Sequence, residues 1–151
     1  MSNETIKVWF PTSGTLKTLE SNGNAIPNNA VVQADDATYV PESEGNSYPD
    51  AQFVLVCSFG TAPAESMSIG LYAQLLAADG TNNTQPPEAS RPGRFIGSFV
   101  VDNVTGTQTM VLDAENVPRR AAYYLHNNNT GQQVNAGWTL KVTASTFKPA
   151  A

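Results

Sequence analysis

Apolar residues in this chain recur at every second position over long stretches and almost nowhere at helical spacing, which selects strands over helices. In GWTLKVTASTF, residues 137–147, Trp138, Leu140, Val142 and Ala144 fall on one face and Thr139, Lys141, Thr143 and Ser145 on the other. That division is expected of a strand with one buried side. AAYYLHN (121–127) divides the same way, with Tyr123 and Leu125 opposing Tyr124 and His126. The polar stretch between these two runs predicts a hairpin with a long loop. Seven further runs follow the same logic: 6–10, 29–33, 37–40, 52–59, 66–78, 93–102 and 107–114. Within them FVLVC (53–57) reads as a central strand covered on both sides, and Ile69, Leu71, Ala73 and Leu75 alternate cleanly. Nine strands predict an all-β chain: a single-domain antiparallel β-sandwich, jelly-roll-like, with long Pro-rich loops.

Turn-forming residues concentrate in PESEGNSYPD (41–50), read as an exposed loop or an arm lying on a neighbour, and in DGTNNTQPPEASRPG (79–93). Residues 11–30 carry little pattern. Residues 1–50 are therefore assigned to N-terminal strands and an extended arm or loop of the same domain, and 51–148 to the sandwich core.

The chain has 151 residues, enough for one core without covalent staples. Only 14% are charged against a usual figure of about 25%, so the expected surface is neutral and polar. Net charge is −5, and the four Lys and four Arg are scattered, Arg119-Arg120 being the one adjacent pair. Nothing there resembles a basic stripe for phosphates, which argues against a direct nucleic-acid partner. No leader pattern and no apolar run of about 18 residues is present, so cytosolic synthesis and no membrane partner are expected. Cys57, the single cysteine, sits in an apolar run and is expected in the core. Four Asn-x-Thr sequons begin at Asn3, Asn82, Asn103 and Asn128 and reflect the Asn/Thr-rich composition.

Chemistry is sparse. His126 is the single histidine, which excludes a cage of histidines around a metal, and its place at a strand end predicts packing or a bond to its loop. Asp35-Asp36 and Asp79 read as turn formers, since neither reproduces a calcium-loop spacing. No nucleophile elbow, P-loop or dinucleotide fingerprint occurs. The expectation is a non-enzyme with no catalytic residue, no metal and no cofactor. Trp9, Trp138, Tyr39, Tyr48, Tyr72, Tyr123 and Tyr124 include possible platforms for stacking on a sugar; Trp138 belongs to the inward register, and Tyr48 and Tyr124 are the better candidates.

A small acidic sandwich of this kind resembles the minor virion structural proteins of tailed bacteriophages, most closely in FGTAPAESMSIGLYAQLLAADGTNN, GRFIGSFVVDNVTGTQTMVLDAENVPRRAAYYLHNNNTG and GWTLKVTASTF. The resemblance implies a capsid decoration (cement) protein, made in the host cytoplasm and located in the virion. It would bridge capsomers by binding the major capsid protein or another virion protein, as a homo-oligomer with a trimer favoured. The alternative is a tail or fibre component, or a carbohydrate-binding module for host attachment. Partner contacts are expected from the two polar segments whose length exceeds what a turn needs: Asn82, Pro86, Pro87, Arg91 and Arg94 in or beside one, and Asn128, Asn129 and Gln132 in the other. Arg91 and Arg94 are suited to fork onto a neighbour's carboxylate.

Overall fold

The structure, a computed structural model, describes residues 9–41 and 50–149. Its strands are β1 (Trp9–Gly23), β2 (Val31–Tyr39), β3 (Asp50–Cys57), β4 (Ser68–Leu75), β5 (Arg94–Val100), β6 (Gln108–Ala114), β7 (Ala121–His126) and β8 (Trp138–Pro149). They form two four-stranded antiparallel sheets, in the orders β1-β8-β3-β6 and β2-β7-β4-β5. Pairing the first strands of the chain with the last, one pair in each sheet, gives the double Greek key of a jelly roll. The chain is an all-β antiparallel sandwich.

The core follows from alternation. β3 turns Ala51, Phe53, Leu55 and Cys57 inward, β8 adds Trp138, Leu140, Val142 and Ala144, and β7 and β4 answer from the other sheet with Tyr123, Leu125, Ile69 and Leu71. Phe53 and Tyr123 meet across the gap with ring centroids 4.9 Å apart. Burial pushes the Cys57 thiol up to about 12, so it stays a small neutral hydrophobe.

Four connections cross between the sheets at one end: 24–30, 58–67, 101–107 and 127–137. They hydrogen-bond to one another. Ile26 and Val134 exchange backbone bonds of 3.0 Å in both directions, and Asn135 N donates to Ser58 O at 2.9 Å. Asn127 is fully buried; its amide donates to Ile26 O at 3.1 Å and Gln132 O at 2.7 Å, while its Oδ1 accepts from Thr130 Oγ1. This supplies a donor to the Gln132 carbonyl and a second donor to the Ile26 carbonyl, which Val134 N already bonds.

Several expectations are corrected. β7 and β8 lie in different sheets, so 121–147 is a crossover and not a hairpin; its polar middle is long because it spans the sandwich. The candidates 29–33 and 37–40 are one strand, β2, interrupted by a register shift between Ala34 and Tyr39, which reduces nine strands to eight. Asp35 and Asp36 sit inside that strand and not in a turn. β1 occupies most of the unpatterned segment 11–30. Three register irregularities against β8 break its period-two signal, and Pro11 is tolerated because β1 is an edge strand. β3 is central in its sheet but buries only alternate residues, so FVLVC is not covered on both sides. Residues 6–8 of the first candidate and 42–49 of the proposed arm lie outside the described residues.

Trp138 depends on one glycine. Its indole N–H donates to Asn24 O at 2.7 Å, and a Cβ built on Gly23 would lie 2.0 Å from its ring. Gly137 N donates to Gly23 O at 2.8 Å in the same turn. Gly23→Ala is therefore expected to displace the indole and cost about 3 kcal/mol, read as a fall of roughly 10 °C in the melting temperature. Cys57 gives a second test: a thiol reagent should label the native protein slowly and the urea-unfolded chain at once.

Candidate functional site

The outer face of β2-β7-β4-β5 carries the densest functional chemistry among the described residues. Register places Gln33, Tyr124, Tyr72 and Phe95 in one row across all four strands, and Val31, His126, Gly70 and Ser98 in the next. The inward alternation of Ile69, Leu71 and Ala73 forces Tyr72 outward. A Cβ on Gly70 would lie 2.7 Å from Cε2 of Tyr72, so the ring reaches back over the glycine. Phe95 stands beside it at 5.3 Å between centroids, inclined by 56°, and His126 lies on its other side at 5.9 Å and 57°. Phe95 is 56% exposed.

Hydrogen bonds fix the polar members. Tyr124 Oη is 3.2 Å from Oε1 of both Gln33 and Gln74, yet one hydroxyl proton serves only one acceptor. The Gln74 amide nitrogen is committed to Thr84 O at 2.8 Å, so Gln74 Oε1 takes the proton. Gln33 must then turn its NH₂ toward the phenol and its carbonyl oxygen away. His126 is buried, with Nδ1 lacking a hydrogen-bond partner. Burial lowers its pKa, against an opposing bond to the Asn29 backbone, so the ring is neutral at pH 7. The outward positions of β7, β4 and β5 contain no Asp, Glu, Lys or Arg, leaving an aromatic face edged by amides and hydroxyls.

The sequence-derived contact residues lie elsewhere, in two groups. The 76–93 excursion is folded back on β4: Thr84 Oγ1 accepts from Leu75 N at 2.9 Å, and Thr84 N donates to Leu75 O at 2.9 Å. Asp79 closes a turn by accepting from Thr81 N at 2.9 Å and Asn82 N at 3.1 Å. These bonds, Thr81 first, pull its carboxyl down to about 2. Asn82 also donates to Asp79 Oδ2 at 2.6 Å. Pro87 is buried and Pro86 exposed. Arg91 is occupied within the chain by Glu88 and Pro86 O, both at 3.3 Å, and Arg94 by Asn116 O at 2.9 Å. Together they line a cleft of about 310 Å³ with Thr84 and Gln85. A second cleft, of about 440 Å³, is lined by Arg119, Arg120 and Leu76. The four arginines scattered in sequence thus gather at one end of the sandwich.

Asn128 and Asn129 are exposed and Gln132 half-buried at the crossing end. Asn129 Oδ1 accepts from Ser68 N at 3.1 Å, and the Gln132 carbonyl accepts from Asn127. Ser68 and Leu75 are the two ends of β4, so the two groups are separated by about 20 Å and do not form one site. Folding explains much of their length. Tyr124 has its ring largely covered, while Tyr48 lies outside the described residues. The residues that sequence reasoning missed are Phe95, Gln33 and Gln74; Tyr72 stands among the sequence's aromatic candidates and alternation signals that it faces out, but no sequence signal pairs it with Phe95.

An acidic group, Glu20, Asp35 and Asp36, brings carboxylate oxygens within 4.8 Å of one another. Glu20 accepts from Asn22 N at 2.9 Å and Asp35 N at 3.2 Å, and Asp36 Oδ2 accepts from Ser21 N at 2.7 Å and Ser21 Oγ at 2.6 Å. The bonds of Asp35 N to Glu20 and of Ser21 to Asp36 tie β1 to β2 along the side where the two sheet edges meet. No protein-family model matches the chain, and no curated protein matches it in sequence.

Two measurements check this geometry. Tyr124→Phe removes the hydroxyl shared by the two glutamines and is expected to cost about 1 kcal/mol, read by urea unfolding. The folded-state pKa of His126 lies below its ordinary 6.5, so the unfolded chain binds the proton more readily. Stability is then highest above that pH and falls as pH drops through it. The melting temperature should decline from pH 7.5 to 5.5, and His126→Gln should flatten that slope.

Proposed function

We propose that the chain is a non-enzymatic structural protein of a tailed-phage virion, a capsid decoration protein that docks by a sheet face and bridges capsomers. One observation supports docking by a face: the outer surface of β1-β8-β3-β6. Its rows are Leu16, Thr143, Gln52 and Asp113; then Thr18, Lys141, Val54 and Val111; then Thr139, Val56 and Thr109. Aliphatic and hydroxyl side chains dominate, with one cation and one anion in the three rows. Val111 is 55% exposed at the β6 edge and Leu16 50% at the β1 edge. A broad, weakly charged surface is cheap to desolvate and suits repeated contacts of about 800 Å² per partner, which gain by multiplicity around a shell. The phage assignment itself rests on the sequence resemblance, and the trimer on the three-fold positions a shell offers.

Val111→Lys places a charge in that face without touching the core. It is expected to leave the melting temperature within about 2 °C while abolishing co-sedimentation with expanded capsids of the parent phage. Equal capsid occupancy by the variant, or no capsid binding by the unaltered protein, would remove the proposal.

A further inference from the structure

The outer face of the other sheet has a different chemistry, and we infer that it binds neutral carbohydrate, with Tyr72 as the floor and Phe95 as the wall of a sugar-stacking corner.

Gly70 makes room for the floor. A side chain there would collide with Cε2 of Tyr72, so the missing Cβ is what lets the phenol ring reach back over its own strand. Tyr72 and Phe95 form an inclined aromatic pair at 5.3 Å and 56°, and the exposure of Phe95 leaves its ring free to contact a ligand. The C–H-bearing side of a pyranose packs against aromatic surface of this kind.

The rim supplies the hydroxyl partners. Bond accounting at Tyr124 directs the Gln33 carbonyl oxygen outward as an acceptor, and Ser98 lies one row away on β5. Amides and hydroxyls both donate and accept, as sugar hydroxyls do. Charge discriminates between occupants. With no ionisable group on the outward positions of β7, β4 and β5 except a neutral His126, the face has nothing to pair with a uronate, a sialic acid or an acidic peptide, and an uncharged glycan leaves no ion unpaired there. His126 braces the floor from its far side at 5.9 Å.

The test is affinity electrophoresis of the full chain in gels containing dextran, mannan, galactomannan or mixed-linkage β-glucan, with polygalacturonate as the anionic control. At least one neutral polymer should retard the protein. Phe95→Ala should weaken that retardation about tenfold, and Phe95→Tyr, which keeps the ring, should restore it. Tyr72→Ala should weaken it by at least as much. Phe95 is exposed, so its variants are expected to melt like the unaltered protein, which separates lost binding from lost folding. Val111→Lys should retain full retardation, and Phe95→Ala full capsid occupancy, because the two faces are on opposite sides of the sandwich. No retardation by any of the four neutral polymers, retardation by polygalacturonate alone, or equal retardation of Phe95→Ala would each overturn the inference.

Discussion

Asn127 stands where four chain crossings meet at one end of the sandwich. A jelly roll must carry its backbone between two sheets several times, and each crossing removes peptide groups from the ladders that would satisfy them. Here four crossings share one end, and the Asn127 side chain donates to carbonyls of two of them, Ile26 O and Gln132 O. Thr130 completes the arrangement: its hydroxyl donates to Asn127 Oδ1 and accepts from Gln132 N at 3.3 Å. Without the Asn127 amide the Gln132 carbonyl would lose a donor, at a cost of about 1 kcal/mol, while Ile26 O would keep its bond from Val134 N. Val134, bridged to both Ile26 and Phe59, closes the core beneath them. The pairing of β1 with β8 and of β2 with β7 follows from that end, since those strands are the ones the joined connections bring together.

The opposite end and the two outer faces inherit different freedoms. At the opposite end the 76–93 excursion returns to the strand it left, so Thr84 and Asp79 organise it locally and the arginines collect around it. The faces differ because of side chains that the core does not constrain. On β1-β8-β3-β6 threonine and valine make up most of the outward positions, with Leu16, Gln52, Lys141 and Asp113 among them. On the outer side of β7, β4 and β5 a glycine beside a tyrosine and a phenylalanine across the strand gap give relief without charge. The two proposed roles, capsid docking and sugar binding, make different physical demands, and the two outer faces differ in chemistry in the same sense.

Much of this was legible in sequence wherever period two survived. Trp138, Leu140, Val142 and Ala144 are inward as their alternation requires, and Cys57 is buried as its neighbours imply. Legibility failed where register shifted. β1 bulges three times against β8, so Leu16 and Leu19 stand three apart and the strand has no visible period. β2 breaks between Ala34 and Tyr39, so one strand reads as two and its aspartates read as a turn. The apparent hairpin at 121–147 misled for another reason: adjacent strands joined by turn residues look alike whether they pair or cross to a second sheet.

The sequence by itself determined the class of the protein and which residues face its core, because burial in a strand is a local pattern set by the alternation of the backbone. It also determined the neutrality of the surface, which is a matter of composition. Tertiary structure decided everything that depends on register between distant strands. It placed Phe95 beside Tyr72, Gln33 beside Tyr124, Gly23 beneath Trp138, and four scattered arginines at one end. Those neighbours are separated by tens of residues along the chain, and only the hydrogen-bonded ladders of a folded sheet specify which positions stand opposite one another.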